Sequence, residues 1–300
     1  MSTMKKAVIT KVGKLYEPLT KRFVKKQYAY SLPLTRPESG RVLVLAPHVD
    51  DETIGAGGTI LTHKQHGAKV TVIYLTDGSG SQSETAGAEL SLRRKEEAKQ
   101  VQELLRIDDV FFLDAKDGQL NEATKSDAFL ASFRKHVEAV DPNVIYLPTM
   151  IDCHPDHVAV GELLMGLSGE WTVRLYEINT AIPPQHLNCV VDVSEHQQQK
   201  EAAIDVFTSQ TIDFDGFLNL SAWKSVMAEE KGKPITHVET FLEMPQKSFQ
   251  LRYPALQARK IRYADYLKQM NKTATLPVAL AKNQKQKNSW YDMAMGGGKS

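Results

Sequence analysis

Short apolar runs alternate with longer amphipathic stretches from residue 41 onward. The runs are rich in Val, Ile, Leu, Phe and Tyr, which is the composition of β-strands. Strands are predicted at residues 42–46, 70–75, 110–113, 144–147, 173–178 and 190–193. Because these runs are nearly continuous and do not alternate with polar residues, they favour strands that are buried on both faces of a parallel sheet.

The stretches between the runs have the spacing of amphipathic helices. Helices are predicted at residues 55–67, 89–106, 122–140, 157–168 and 195–207. The alternation of strand and helix predicts an α/β fold with right-handed crossovers, in which ligands bind beyond the carboxyl ends of the strands. The residues that follow each strand are therefore the first candidates for chemistry.

The composition excludes several classes of protein. The 300 residues are 42% hydrophobic and 24% charged, with a formal net charge of +1. Disorder requires low hydrophobicity or a large net charge, and nucleic-acid binding usually requires a basic excess, so neither is expected. The sequence has no apolar run long enough for a membrane span or a secretory signal, and its two cysteines form no disulfide framework. A cytoplasmic location is expected.

Positive charge is concentrated at the start of the chain. Residues 1–36 contain nine lysines and arginines and one glutamate, whereas the remainder is acidic. This basic segment is a candidate for peripheral association with an anionic membrane, at its inner face, and the alternative is a solubilising or packing role. We predict a basic extension at 1–40, a main domain at 41–250, and a helical extension with a flexible tail at 251–300. That last part is a candidate cover for the site or for another subunit.

Two clusters of histidines and carboxylates follow predicted strands. They are Pro47-His48-Val49-Asp50-Asp51-Glu52 and Asp152-Cys153-His154-Pro155-Asp156-His157. Such groups are costly at buried strand ends unless they are paired, and a divalent cation would pair them. His48, Asp51 and His157 would give zinc two nitrogens and one oxygen and leave room for water, as catalytic zinc sites do.

With these two clusters, the sequence resembles the PIG-L/LmbE-like zinc-dependent N-acetylglucosaminyl deacetylases. Their signature is Pro-His-Pro-Asp-Asp-Glu followed later by His-Pro-Asp-His, and here the two motifs stand at 47–52 and 154–157, with Val49 replacing the second proline. The resemblance covers residues 41–245 and includes Thr76-Asp77-Gly78, Arg93 to Glu97, Asp117 to Leu120, Val191 to Ser194, Lys200 and Ser209-Gln210. It implies a Rossmann-like three-layer sandwich with a mostly parallel sheet and a metal site at the carboxyl ends of the strands.

The resemblance also implies a role for each matching residue. The implied ligands of one zinc ion per chain, with Fe²⁺ as the alternative metal, are His48, Asp51 and His157. Asp50 is the implied general base and the carrier of a proton to the leaving amine. His154, held by Asp156, is the implied positively charged donor to the oxyanion.

Several residues keep alternative roles. Glu52 is expected to orient a ligand and not to bind the metal itself. Asp156 has the alternative of a charge that favours the start of a helix. Cys153 is expected to be a small buried residue, not a nucleophile or ligand. Arg94 is the candidate for binding a substrate hydroxyl or phosphate. The helix register does not decide whether Arg94 or Arg93 faces the site, and the alternative is that the arginine lies on a solvated face of the helix.

The implied activity is hydrolysis of a linear amide bond. The expected substrate is the N-acetyl group of an N-acetylglucosamine-type sugar, in the synthesis of a cell-envelope polysaccharide or glycolipid. One alternative is a zinc amidase that acts on a non-sugar amide or on a larger N-acyl group. Another is a non-catalytic protein that retains the fold. A dinucleotide-binding oxidoreductase is disfavoured, because Gly55, Gly57 and Gly58 lack the Gly-x-Gly-x-x-Gly spacing.

Overall fold

A seven-stranded mixed sheet is the centre of the protein in the computed structural model, which describes residues 16–80, 87–228 and 233–295. The strands are Arg41–Ala46 (β1), Lys69–Thr76 (β2), Asp109–Ala115 (β3), Val144–Pro148 (β4), Thr172–Tyr176 (β5), Cys189–Asp192 (β6) and Val238–Pro245 (β7). Their order is β3-β2-β1-β4-β5-β7-β6. Neighbouring strands are parallel except at β7, which is antiparallel to both β5 and β6.

Helices cover both faces of this sheet. They are residues 16–27 (α1), Asp51–Gln65 (α2), Ala88–Leu104 (α3), Leu120–Ala123 (α4), Asp127–Val140 (α5), Pro155–Leu163 (α6), Gln197–Ile204 (α7), Asp215–Lys224 (α8), Gln246–Gln257 (α9), Tyr263–Tyr266 (α10), Leu276–Ala281 (α11) and Gln284–Ala294 (α12). Leu43 and Leu45 of β1 belong to a core shared with α5, α6, α9 and α12, whereas Val42 and Val44 belong to a second core shared with α2, α3 and α7. Side chains that alternate along one strand therefore enter two cores, and the result is the predicted three-layer sandwich.

The strand order reverses between β1 and β4. The sequence β3-β2-β1-β4-β5 is that of a doubly wound sheet, and a crevice opens at the reversal, beyond the carboxyl ends of the two strands. β1 and β4 are direct neighbours, with Val42 opposite Val144 and Val44 opposite Tyr146. The two predicted metal-binding clusters follow these two strands, so the topology brings both clusters to the same crevice.

The six predicted strands are confirmed, but β7 was not predicted. This strand interrupts its apolar residues with Glu239, Thr240 and Glu243, so it lacks the continuous apolar run by which the others were found. Glu239 is nevertheless 5% exposed, because its carboxylate pairs with Lys200 Nζ at 2.6 Å. The prediction of one helix at 122–140 was wrong in one respect. The segment forms two helices, α4 and α5, and Ser126 caps the start of α5.

The Lys200–Glu239 pair also contacts the backbone of α2. Lys200 Nζ donates to the carbonyl oxygen of Ile54 at 2.8 Å, and the Glu239 carboxylate accepts from the N–H groups of Gly58 and Thr59 at 2.9 and 2.7 Å. Ile54 C=O and Gly58 N–H are the two groups that bond to each other in a regular helix. The buried ion pair therefore bonds to the backbone of α2 and fixes the position of the helix that begins in the first metal-binding cluster.

Alanine substitution of two neighbouring glycines in α2 is expected to change stability in opposite directions. A β-carbon at Gly58 would lie 2.6 Å from Val193 Cβ, so Gly58→Ala should lower the free energy of unfolding by about 1–3 kcal/mol through overpacking. At Gly57 the nearest atom, Lys200 Cγ, lies at 3.4 Å, and the helix preference for alanine should stabilise Gly57→Ala by up to about 1 kcal/mol. Urea unfolding measures both. Equal destabilisation of the two variants would contradict this account of the packing.

The chain termini pack on the same core as the sheet. Val24 and Tyr28, in and directly after α1, are at most 1% exposed, and Tyr263 and Trp290 from the C-terminal part belong to the same cluster as β1. α9 crosses the predicted boundary at residue 250, and the division into three parts stays a prediction. Residues 1–15 of the basic segment and 296–300 of the tail lie outside the described residues. Within the described ranges, the helices do not reach the combination of length and apolar character needed to cross a bilayer.

Candidate metal centre and active site

His48, Asp51 and His157 meet in the crevice between β1 and β4. His48 Nδ1 lies 3.2 Å from Asp51 Oδ2 and 3.3 Å from His157 Nε2, and the His157 nitrogen lies 3.4 Å from the same Asp51 oxygen. Ligand atoms that surround zinc as a tetrahedron at about 2.0–2.1 Å are separated from one another by about 3.3 Å. The three atoms therefore have the spacing of three corners of one such tetrahedron. This is a His/Asp group that can hold a metal ion.

A second group of possible ligands lies on the other side of the His48 ring. His48 Nε2 is 3.2 Å from Asp117 Oδ1 and 3.4 Å from Asp156 Oδ2, and ligand atoms of these residues and His154 lie within 4.8 Å of one another. These carboxylates already accept backbone hydrogen bonds: Asp117 from Gly80, and Asp156 from Gly118 and Leu120. The first group is the better candidate, because all three of its mutual distances match the tetrahedral spacing, whereas the four residues of the second group lie only within 4.8 Å of one another.

The turn from β1 into α2 sets the directions of the first cluster. Asp50, the residue before α2, has φ 144° and ψ −25°, a strained conformation for a residue with a side chain. Its neighbour Asp51 begins the helix and accepts a hydrogen bond from the His48 N–H at 2.9 Å. Two adjacent carboxylates thereby receive different partners, since Asp50 Oδ2 accepts from Gln210 Nε2 at 2.7 Å.

The two adjacent carboxylates also differ in acidity. Burial, reinforced by the charge of Asp51, raises the pKa of Asp50 to about 6. Burial would raise the pKa of Asp51 as well, but the His157 and His48 rings outweigh it and hold that pKa well below its usual range. Opposite shifts of neighbouring carboxyl groups are typical of sites where one group binds a cation and the other exchanges a proton.

Glu52 is fully buried and points toward the start of α2. Its Oε1 accepts from the Thr53 hydroxyl at 2.7 Å and its Oε2 from the Asp50 N–H at 3.3 Å. Burial raises the pKa of Glu52 to about 8. These contacts hold the turn that carries the first cluster, which supports an orienting role for Glu52.

Asp152 is a site residue whose role the sequence analysis missed. Its Oδ1 lies 3.2 Å from His157 Nδ1, the ring nitrogen opposite the one that faces Asp51. The same carboxylate accepts from the N–H groups of His154, Asn179 and Thr180 at 2.8, 3.1 and 3.2 Å. Asp152 is therefore fixed by the backbone and keeps His157 Nε2 directed at the ligand cluster, an arrangement common around metal-binding histidines.

Asp152→Asn is expected to weaken metal binding by about 10–100-fold. The side-chain amide of asparagine has one oxygen and one NH₂ group. In either orientation, the NH₂ group would face an N–H donor, either that of His157 or those of the backbone that now bond to the carboxylate. Competition with a fluorescent zinc chelator measures the affinity. Asp114→Asn is the matched control, because Asp114 pairs with Lys95 at the surface, at 2.6 Å. Equal affinities of the two variants would contradict the role of Asp152.

His154 is oriented by the backbone of the helix that it precedes. Its Nδ1 accepts from the Asp156 N–H at 3.2 Å, so the proton of the neutral ring lies on Nε2. Burial, with the charge of His48, lowers the pKa of His154 to about 4. The hydrogen bonds of the Asp156 carboxylate go to Gly118 N–H at 2.7 Å and Leu120 N–H at 3.0 Å. This arrangement leaves Nε2 of His154 as its free donor, and the expectation of a positively charged ring held by the Asp156 side chain stays a prediction.

A pocket of about 160 Å³ opens over the cluster. Its lining includes His48, Asp50, Asp51, Arg94, Asp117, His154, His157, Asn179, Gln210, Ile212, Phe217, Gln269 and Asn271. Arg94 is 1% exposed, and its three side-chain nitrogens have no hydrogen-bond partner among the described residues. Arg93 faces away and donates to the Thr208 hydroxyl at 2.9 Å. Of the two arginines, Arg94 is therefore the one that reaches the pocket, and a buried guanidinium without partners favours a polar ligand.

Cys153 lies outside this pocket. Its Sγ contacts the Thr180 hydroxyl at 3.3 Å and lines a separate cavity of about 510 Å³, with Tyr253 and Tyr263. Burial raises the pKa of the Cys153 thiol to about 11. The thiol is therefore placed and protonated as a packing residue, not as a nucleophile or ligand.

A mostly parallel, doubly wound sheet with a His/Asp cluster where the strand order reverses, between β1 and β4, defines a class of metal-binding α/β proteins. Within that class, residues 43–168 match the model of the PIG-L family, described as GlcNAc-PI de-N-acetylase. This match confirms the resemblance found in the sequence.

Curated relatives and solved structures agree with this family. The chain is 29% identical over 193 residues to the diacetylchitobiose deacetylase of Thermococcus kodakarensis, a match to 57% of this chain and 70% of the relative. It is 30% identical over 128 residues to the "Probable N-acetyl-alpha-D-glucosaminyl L-malate deacetylase 2" of Bacillus anthracis, a match to 40% of this chain and only 56% of the relative. The N,N'-diacetylchitobiose deacetylase structure from Pyrococcus horikoshii has a TM-score of 0.55 at 24% identity, over 83% of this chain and 96% of that chain. That structure supports the fold.

Proposed function

We propose that the protein is a metal-dependent hydrolase that removes the acetyl group from an N-acetylglucosamine-type sugar. The observation that carries this proposal is the pocket, where Asp50, His154 and the cluster of His48, Asp51 and His157 surround one cavity. A carboxyl group with a raised pKa, a neutral hydrogen-bond donor and a set of metal ligands are the groups that amide hydrolysis needs. The names of both curated relatives, which are deacetylases of N-acetylated sugars, support the same reaction.

Zinc is the proposed metal, with one ion per chain held by His48, Asp51 and His157. The fit rests on the donor set of two nitrogens and one oxygen and on the mutual distances of 3.2–3.4 Å. When bound, zinc would supply a Lewis acid and lower the pKa of water toward about 7. Fe²⁺ is the competing metal, since imidazole and carboxylate ligands suit both ions.

Each remaining side chain of the pocket has a proposed part in the reaction. Asp50 takes the proton of the attacking water and delivers it to the nitrogen of the amide, so that the C–N bond breaks and acetate and a free amine leave. Gln210 holds Asp50 in position through the 2.7 Å hydrogen bond. His154 donates its Nε2–H to the oxygen that becomes negative, and Arg94 binds a hydroxyl or phosphate of the substrate.

Release of acetate tests this function. Purified protein is incubated with N-acetylglucosamine that carries a sugar, lipid, nucleotide or thiol-type group, and acetate and free amine are measured in the same samples. We expect equal amounts of the two products and near-stoichiometric zinc in the protein. Release from non-sugar amides only would favour the alternative amidase. Protein that binds no metal and releases no acetate would favour a non-catalytic role.

We also propose that the basic segment brings the protein to an anionic membrane surface inside the cell. Lys21, Arg22 and Lys26 of α1 are exposed beside the exposed apolar residues Tyr16 and Leu19, whereas Val24 packs in the core. An amphipathic helix of this kind binds anionic lipid surfaces in a salt-dependent manner. Sedimentation with vesicles that contain phosphatidylserine, at low and high salt, tests the proposal. Equal sedimentation with neutral vesicles would contradict it.

A further inference from the structure

Residues 267–273 bring the C-terminal part of the chain to the pocket, although they lie far beyond residues 43–168, which match the PIG-L model. Gln269 and Asn271 of this segment line the same pocket as Asp50 and Arg94. Gln269 is exposed and Asn271 is half-buried, so the segment forms part of the mouth of the pocket.

The backbone of the segment is held from two sides. Met270 N–H donates to the Asn179 carbonyl oxygen, and Gly216 N–H donates to the Asn271 carbonyl oxygen, both at 3.1 Å. The chain passes so close to α8 that a β-carbon at Gly216 would lie 2.0 Å from the Met270 oxygen. Met270 itself is 1% exposed and packs in the core. The position of the segment is therefore set by its main chain and by Met270, not by the side chains of Gln269 and Asn271.

Those two side chains have no hydrogen-bond partner among residues 16–80, 87–228 and 233–295. The amide of Asn179, in the same pocket, differs because it donates to Asp152 at 3.2 Å. A free amide group offers two donors and one acceptor, which is what pairs of sugar hydroxyl groups require. Gln269 and Asn271 thus present uncommitted polar groups at the entrance, where an attached group of the substrate has to lie.

The lining beside these amides is partly apolar. Two lysines flank the two amides in the sequence: Lys272 pairs with Asp213 at 2.7 Å, and Lys268 is exposed. Ile212, which is 41% exposed, and Phe217 add apolar surface to the same lining. Apolar surface beside neutral amides suits a sugar ring, which has apolar C–H faces and hydroxyl edges, better than it suits a phosphate.

We propose that Gln269 and Asn271 form a subsite for an uncharged sugar residue attached to the reacting N-acetylglucosamine. The two amides bind its hydroxyl groups, and they determine which substrates are accepted without taking part in bond cleavage. This inference rests on the proposed function, because it assumes that an N-acetylglucosamine unit occupies the pocket.

The test compares Gln269→Ala and Asn271→Ala on two substrates. One is a neutral disaccharide of N-acetylglucosamine, and the other is the methyl glycoside of a single N-acetylglucosamine. On the disaccharide, we expect each variant to raise KM by about 3–10-fold, the effect of one hydrogen bond of about 0.5–1.5 kcal/mol. On the methyl glycoside, KM is expected to stay within about twofold of wild type, since that substrate lacks the second sugar. The value of kcat, the zinc content and the Tm should be unchanged. Gln286→Ala is the matched control, because Gln286 is an exposed amide on α12 outside the pocket lining.

Each failure has a distinct meaning. If the wild type deacetylates the disaccharide and both alanine variants keep its KM, the inference is overturned and the proposed function stands. If the wild type releases no acetate from either substrate, the proposed function itself is overturned. A fall in kcat on both substrates would assign the amides to the chemistry and also overturn the inference.

Conservative variants separate binding from folding. If an alanine variant has a lower Tm, Gln269→Glu and Asn271→Asp keep the shape and acceptor atoms of the side chains. We expect them to remain within about threefold of the wild-type KM on the disaccharide. A KM as high as that of the alanine variants, in protein with wild-type Tm, would overturn the subsite.

Discussion

Asp50→Asn is expected to lower kcat by about 10²–10⁴-fold and to leave the metal content of the protein unchanged. Asparagine has the shape of aspartate and still accepts the hydrogen bond that Gln210 now donates at 2.7 Å, but it cannot take up a proton. The mutual contacts of the three proposed ligand atoms, from His48, Asp51 and His157, do not involve Asp50. Steady-state kinetics and elemental analysis of the same preparation measure the two quantities.

The control for this variant is Asp109→Asn. Asp109 pairs with Lys69 at 2.9 Å on the surface, so its loss should leave kcat at the wild-type value. Wild-type kcat in Asp50→Asn would assign the proton transfer to another group. Loss of metal together with activity would instead make Asp50 a ligand, contrary to the division of roles between Asp50 and Asp51.

The ligand cluster could be predicted from the sequence because its parts are local. Each cluster follows a strongly apolar strand, and parallel strands end at the same edge of a sheet, so proximity of His48 and His157 follows without knowledge of the strand order. The structure adds that β1 and β4 are direct neighbours, at the place where the strand order reverses. This adjacency turns a shared edge into contacts of 3.3 Å between the two imidazoles.

The supporting residues could not be predicted in the same way. Gln210 meets Asp50 from 160 positions along the chain, and Gln269 and Asn271 enter the pocket from beyond the residues that match the PIG-L model. An isolated glutamine or asparagine has no sequence signature, and only the course of the backbone decides where its amide lies. Arg94 is an intermediate case: its helix was predicted, but only its position in the lining of the pocket separates Arg94 from Arg93, which bonds to Thr208.

The state of His154 shows how hydrogen bonding changes a role inferred from a motif. A histidine next to a carboxylate suggests a positively charged donor. In the structure its Nδ1 already accepts from a backbone N–H, and burial lowers its pKa to about 4. A neutral imidazole can still donate from Nε2, so the proposed interaction with the developing oxyanion is retained. A neutral donor forms a weaker hydrogen bond than a charged one, and a positive charge on His154 stays a prediction.

His157→Ala is expected to abolish stabilisation by zinc as well as catalysis. With free zinc at 100 times its dissociation constant, the wild type should gain about 2.7 kcal/mol of stability, which thermal unfolding detects without any substrate. The loss of a direct ligand should exceed the about 10–100-fold weakening expected of Asp152→Asn. His66→Ala is the control, because His66 is an exposed histidine at the end of α2.

This variant also distinguishes the groups of possible ligands around His48. It removes a corner from the group of His48, Asp51 and His157 and from that of His48, His154 and His157, but it leaves intact the group of His48, Asp117, His154 and Asp156. If zinc still stabilises His157→Ala by the wild-type amount, the ion binds on the Nε2 side of His48, and Asp117→Asn should then abolish the effect. If zinc has no effect on His157→Ala, the ion binds on the Nδ1 side. That position leaves Asp156 Oδ2, which now accepts from the Gly118 N–H at 2.7 Å, free to keep this hydrogen bond.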